Sequence, residues 1–297
     1  MVIEGFYIET SSLIYAVKGV CDYGDFIPVV PKYLKTGCEK VRNIFTQCPI
    51  EYLPSIGIRA CVVNKEDISI VYNPFEYSNI RLPSKINSFI KMIEKTIGYA
   101  EVGITGSYLL GCPRDGSDID LIIHGKLLRD EYAIMRDVLG GLRKCNGSLV
   151  EKNYIEKISA DNSMDLSNYR EIFKDKILEG CYENKLYSIR IVEEDAANIV
   201  CRNTYYYKDH IVIVGRLIHV KPYTTPAIYI IQNDEPDYSY NVMTWRIRYT
   251  ELPEGFYLIE GESFVDSAGG SWIIPDHGGR IKKLRNISRK FIARQSR

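Results

Sequence analysis

Two short apolar runs, set a fixed polar distance apart, constrain this chain more than any other feature. The first, residues 100–105, ends in Gly106-Ser107; the second, residues 118–123, opens with Asp118-Ile119-Asp120. Each run has the length and β-branched content of a buried strand. On a strand, residues two apart share a face, so Asp118 and Asp120 point the same way while Ile119 and Leu121 point into a core. Two carboxylates side by side repel unless a cation lies between them. Their hard oxygens suit Mg²⁺ or Mn²⁺. Gly106-Ser107 falls where a strand turns into a helix. There a glycine lets the backbone approach a ligand, and the following amides and hydroxyl suit a phosphate.

The surroundings alternate helix and strand. Ser84 reads as the cap of a helix carrying Ile86, Phe89, Ile90, Ile93 and Ile97, with Gly98 as its stop. Residues 127–144 read as a helix with Ile134, Val138 and Leu142 on one face, residues 166–178 as another, and residues 186–192 as a strand. Before this unit, runs at 6–8, 13–20, 26–30, 56–63 and 68–72 read as short strands punctuated by prolines. After it, runs at 210–220, 227–231, 241–249, 256–262 and 271–274 are strands only, which suggests a small barrel. The expected fold class is α+β. It places a β-rich N-terminal domain at 1–82, a central mixed-sheet domain at 83–203, a small OB-like β-barrel at 204–279 and a basic tail helix at 280–297.

The pattern Gly106-Ser107, ten residues, then Asp118-Ile119-Asp120 resembles the signature of the DNA polymerase beta-type nucleotidyltransferase superfamily. The likeness extends to Gly111 and to the run Ser117-Asp118-Ile119-Asp120-Leu121. It covers the central domain and says little of the flanks. The resemblance implies transfer of a nucleoside monophosphate from a nucleoside triphosphate to a hydroxyl. Asp118 and Asp120 would be the catalytic metal ligands for Mg²⁺ or Mn²⁺, and Gly106 and Ser107 would hold the β- and γ-phosphates. Two positions depart from the family. Where many members carry Arg, three residues after the motif serine, this chain has Leu110. The family's third carboxylate, on a later strand, would fall on Ser188, in Lys185-Leu186-Tyr187-Ser188-Ile189-Arg190.

Charge is asymmetric. Residues 280–297 hold eight basic side chains and no acidic one, leaving 30 basic and 38 acidic residues in the rest. Arg280, Lys282, Lys283, Arg285, Arg289 and Lys290 are therefore candidate nucleic-acid contacts, and Ile281, Leu284, Ile287 and Phe291 fit a helical stripe. Tyr205, Tyr206, Tyr207, Tyr229 and Trp245 are candidate base-stacking residues, against the commoner reading of core aromatics. The four histidines, at 124, 210, 219 and 277, share no metal-binding spacing.

The eight cysteines are scattered singly with no C-x-x-C pair, which disfavours a zinc ribbon. No apolar run has the length of a membrane span, and the first twenty residues do not read as a signal peptide. The expectation is a cytoplasmic chain with reduced, mostly buried thiols and no membrane partner. Intracellular disulfides are the alternative for a hyperthermophile. The favoured function is Mg²⁺-dependent nucleotidyl transfer to RNA or DNA. The alternatives are a degraded fold that only binds nucleic acid, and a transferase acting on a protein or small molecule.

Overall fold

In the computed structural model the described residues are all but 42–47, 49, 56, 99, 128, 143–144, 146, 158–163, 234–238 and 285–297. They form three sheets and divide into two units: Met1–Cys145 with Ile177–Arg202, and Asn146–Lys176 with Asn203–Arg297.

The first unit begins with an antiparallel sheet. Its strands are β1 (Tyr7–Glu9), β2 (Leu13–Val17), β3 (Phe26–Leu34), β4 (Glu51–Leu53), β5 (Ile58–Asn64) and β6 (Ile70–Tyr72), in the order β4-β5-β3-β2-β1-β6. The β2–β3 ladder slips by one residue. Ile14 faces Tyr33 while the next residue, Tyr15, faces Pro31, which leaves Lys32 as the extra residue of a β-bulge. Pro31 brings no backbone N–H to the ladder, which favours an irregularity here.

The second sheet is mixed. It holds β7 (Glu101–Thr105), β8 (Ile119–His124), β9 (Glu179–Tyr182) and β10 (Lys185–Val192), in the order β7-β8-β10-β9, with β8 and β10 parallel. Ile119, Leu121, Ile122 and Ile123 of β8 are buried. Helix α1 (Ser84–Thr96) buries Ile86, Phe89, Ile90 and Ile93, the stripe expected from the spacing. Its cap differs from expectation: Pro83 is the capping residue, and Ser84 is already helical. The four-residue helix α2 (Gly106–Leu109) follows β7, and α3 (Arg129–Leu142) follows β8. The expected face of α3 is wrong. Ile134 is exposed, and Met135 and Leu139 are the fully buried pair. Both sets fit a helical period, and only the packing partner selects between them. Helix α6 (Glu194–Cys201) closes the unit.

The cysteines also differ from expectation. All eight pair, as Cys21–Cys201, Cys38–Cys112, Cys48–Cys61 and Cys145–Cys181, every pair within the first unit. Partners lie up to 180 residues apart, a proximity that only the tertiary fold creates. Such pairing suits an oxidising setting or the hyperthermophile alternative, so the thiols no longer support a cytoplasmic assignment. No helix among the described residues is long and apolar enough to cross a membrane.

The second unit contains α4 (Gly147–Lys157), α5 (Leu166–Phe173) and a six-stranded sheet. Its strands are β11 (Tyr205–Lys221), β12 (Ala227–Gln232), β13 (Ser239–Thr244), β14 (Gly255–Asp266), β15 (Ser271–Ile274) and β16 (Arg280–Lys283). Pairings run β11-β12-β13-β15-β14-β16, with β11 also paired to β14. Tyr205, Tyr229 and Trp245 are buried, which removes them as stacking platforms, whereas Tyr206 and Tyr207 are about half exposed. The basic tail does not begin as a helix: residues 280–283 are strand β16, with Ile281 fully buried opposite Ile259. The open edge of β14 supplies a ladder, and the alternation Arg280, Ile281, Lys282 fits it with period two. The rest of the expected helix, including Arg285, Arg289 and Lys290, lies outside the described residues.

Candidate active site

Strand β8 carries Asp120 as its second residue, with Asp118 just before its first; both are half-buried, while Ile119 between them is buried. Each neighbouring strand contributes one flank. Antiparallel β7 pairs Thr105 with Asp120 and delivers the chain directly into Gly106-Ser107. Gly106 has φ +68, and a Cβ there would lie 2.5 Å from Asp120 Oδ2. Only glycine lets the backbone turn this close to the carboxylate. Thr105 does not cap α2 with its side chain; its hydroxyl donates instead to the carbonyl of Gly5 at 2.6 Å.

On the other flank, parallel β10 sets Ser188 opposite Asp120 and Arg190 opposite Ile122. Register partners share a face, so Ser188 and Arg190 rise on the side that bears the aspartates. The Ser188 hydroxyl donates to Asp120 Oδ1 at 2.5 Å. The family position expected to lack a carboxylate thus stands beside Asp120 and offers it a neutral donor. Among the described residues no group of three His, Cys, Asp or Glu side chains is placed to hold a metal ion. Glu193, Glu194 and Asp195 follow the last residue of β10, and Asp195 lies 3.8 Å from Lys126.

The N-terminal sheet covers this face, which spacing alone did not reveal. Gly5 presses on Ile122, where a Cβ would lie 2.1 Å from Cδ1. Leu110 packs beside Leu109 against Tyr7, Ile14, Ala16 and Tyr33. That contact accounts for the departure at Leu110, because a guanidinium there would be pressed into an apolar interface. Glu4 is buried and pairs with Lys18 at 2.9 Å and with Arg190 at 3.3 Å. Burial raises the Glu4 pKa, but Lys18 and Arg190 outweigh it, and the carboxyl ends below its ordinary value. Burial first, then the charge of Asp120, pushes the Tyr7 and Tyr33 phenols up. Both rings are therefore neutral and within electrostatic reach of the aspartate.

Lys32, the bulged residue, joins the same cluster. Its side chain is exposed to solvent. Neighbouring protein, then the charges of Lys18 and Arg190, lower its pKa to about 8 against the opposing pull of Asp120 and Glu4. No hydrogen bond or ion pair reaches its ammonium from the described residues. Sequence reading named Ser188 and noticed Arg190 beside it, but missed Glu4, Lys18 and Lys32. The only local signal was the Pro31-Lys32-Tyr33 irregularity in an otherwise regular strand.

The described candidate nucleic-acid contacts of the tail form ion pairs within the chain. Arg280 pairs with Glu260 at 2.7 Å, Lys282 lies 3.8 Å from Asp165, and Lys283 lies 3.3 Å from Glu171.

Comparison with known proteins supports the central reading. Residues 84–178 match the family model of the nucleotidyltransferase domain, about a third of the chain. That central stretch is therefore similar to a nucleotidyltransferase domain, which supports a nucleotidyltransferase-type enzyme. The match includes Gly106, Ser107, Asp118 and Asp120, but ends before β10 and excludes the N-terminal sheet. No curated protein and no solved structure matches significantly.

Proposed function

We propose that this chain transfers a nucleoside monophosphate from a nucleoside triphosphate to the hydroxyl of an acceptor, with Asp118 and Asp120 holding one Mg²⁺ or Mn²⁺. The observation that carries this is the half-buried Asp120 on β8, with half-buried Asp118 two residues before it and Gly106 closed against Asp120. Two hard oxygen ligands beside a backbone turn fit a hydrated divalent cation shared with substrate phosphates. When bound, that ion neutralises charge on the phosphates and favours ionisation of the attacking hydroxyl.

The remaining work falls to the chain. Gly106 and Ser107 hold the outer phosphates against the start of α2. Ser188 fixes the rotamer of Asp120 through Oδ1 and leaves Oδ2 turned toward Gly106. The acceptor oxygen bonds to the α-phosphorus as the bond to the bridging oxygen breaks. Pyrophosphate leaves, and the hydroxyl proton passes to solvent. RNA or DNA remains the favoured acceptor, with the six-stranded C-terminal sheet, read as an OB-like barrel, as its further support.

A second reading rests on Ser188: a fold that binds the triphosphate but no longer turns it over, because a hydroxyl stands where the family has a carboxylate. Incubation with α-³²P-labelled triphosphate, Mg²⁺ and mixed RNA and DNA acceptors separates the two. The transferase reading expects label in the acceptor fraction and at least a thousandfold less with Asp120→Asn, as loss of a metal ligand costs roughly 4 kcal/mol or more. Equal transfer by the variant would remove Asp120 from the reaction. Tight triphosphate binding without any transfer would select the second reading.

A further inference from the structure

We infer that the Cys38–Cys112 disulfide is a redox-sensitive tether of the triphosphate site, which a dithiol reductant opens to weaken triphosphate binding. The inference rests on the reading of Gly106, Ser107, Asp118 and Asp120 as the nucleotide-binding end, and adds a regulation of that end.

Position ties the bond to the site. It joins two loops of the first unit. One is the turn after β3, residues 35–40, which the Leu34 amide closes on the Glu39 carbonyl at 2.8 Å. The other is the segment between Ser107 and Asp118, which links the phosphate end of the site to its metal end. Within it the Cys112 amide donates to the Ser107 carbonyl at 2.8 Å, so a tether at Cys112 acts one hydrogen bond away from Ser107. No residue from 111 to 118 is buried, and none from 35 to 40. Neither loop therefore has an apolar anchor of its own. The Arg114 guanidinium also donates to the Cys38 carbonyl, at 3.1 Å, but this bond is exposed and competes with water. The disulfide is the firm link between the segment and the N-terminal sheet. A segment released from it gains freedom that triphosphate binding must then remove, which lowers affinity.

Accessibility singles out this bond among the four. Each of the other three disulfides has one buried cysteine: Cys21, Cys61 or Cys181. Cys38 and Cys112 are both half-buried, so a thiolate can approach either sulfur. Exchange depends on that access, and accessible disulfides are the labile, regulatory ones. One thiolate of the dithiol attacks one sulfur of the pair. The sulfur–sulfur bond breaks, and its electrons leave on the other cysteine, which takes up a proton. The second thiolate of the reductant then attacks the mixed disulfide and releases the first cysteine, which is protonated in turn. The pair gains two electrons and two protons, and the dithiol is oxidised to its own disulfide.

The full chain, oxidised, is equilibrated with a series of reduced-to-oxidised dithiothreitol ratios. Differential alkylation with peptide mapping reads which cysteines have opened. Calorimetry at the same ratios, with Mg²⁺ and α,β-methylene ribonucleoside triphosphates taken one base at a time, reads affinity. Cys38 and Cys112 should open first, with the other three pairs intact. Triphosphate affinity should fall at least about tenfold at that ratio, a typical size for coupled sites, and return on reoxidation. The double variant Cys38→Ser, Cys112→Ser should bind as weakly as the opened wild type at every ratio. Thermal melting checks its fold, and the wild-type arm decides without it. Opening of another pair before Cys38–Cys112 would overturn the labile tether. Unchanged affinity after selective opening would overturn the regulation and leave the nucleotide reading standing. A redox response that persists in the double variant would overturn the assignment to this bond. An oxidised wild type that binds none of the triphosphates would overturn the nucleotide reading, and this regulation with it.

Discussion

The two flanks of strand β8 differ in kind. On the β7 flank, Gly106 and Ser107 keep the spacing and the backbone turn of the nucleotidyltransferase signature, and the family match covers them. On the β10 flank, a hydroxyl and a guanidinium occupy the face that would bear a carboxylate, and the match has already ended. A separate sheet, with Glu4, Lys18 and Lys32, fills in above. Under the proposed function, the flank that matches the family would meet the triphosphate, and the flank beyond the match would meet the acceptor. Site chemistry is grafted on a fold rather than dictated by it.

The largest effect is expected where the β7 flank is broken. Gly106→Ala places a methyl carbon where Asp120 Oδ2 now lies 2.5 Å away, at φ +68. The strain and displacement should cost about 1–3 kcal/mol of stability and at least a hundredfold in transfer. A transfer assay with wild-type-like activity in this variant would mean that the close approach is incidental.

Breaking the support of the β10 flank comes next. Glu4→Gln leaves Lys18 and Arg190 without their buried counter-charge and should cost about 3 kcal/mol at pH 7. The pH dependence follows from the sign of the shift. The Glu4 carboxyl is held below its ordinary 4.5, so its stabilisation is present above that value and is lost as pH falls through the lower, folded pKa. Chemical denaturation from pH 7 to pH 3 should show the gap between wild type and variant closing below about pH 4.5. A gap independent of pH would point to packing rather than charge.

How much of this was legible in the sequence depended on distance along the chain. The two aspartates and Gly106 sit within fifteen residues, and period-two alternation alone sets Asp118 and Asp120 on one face. Ser188 was legible too, because alternation along residues 185–192 marks it as face-sharing with Arg190. Glu4, Lys18 and Lys32 were not. They reach the site through pairing of β2 with β3 and through a bulge, and a register slip leaves no periodic trace. The disulfides failed for the same reason. The start of the tail differs for another reason: Ile281 fits a helix locally, but the edge of β14 takes residues 280–283 as a strand.

The smallest effect is expected in that tail strand. Lys282→Ala breaks an exposed ion pair with Asp165 and should change stability by less than about 1 kcal/mol. A fall in nucleic-acid affinity and a flatter salt slope in this variant would return Lys282 to the interface. An unchanged slope would leave it a structural edge residue.

The contrast between the two flanks is tested most directly by counting metal ions. Equilibrium dialysis with Mn²⁺ and a non-hydrolysable triphosphate, read by electron paramagnetic resonance, gives the number bound per chain. Two aspartates with Ser188 beside them predict one Mn²⁺ in the wild type, and Ser188→Asp, which places a third carboxylate beside Asp120 on the same face, predicts two. Two ions in the wild type would mean that another group completes the site and that the β10 flank has not diverged.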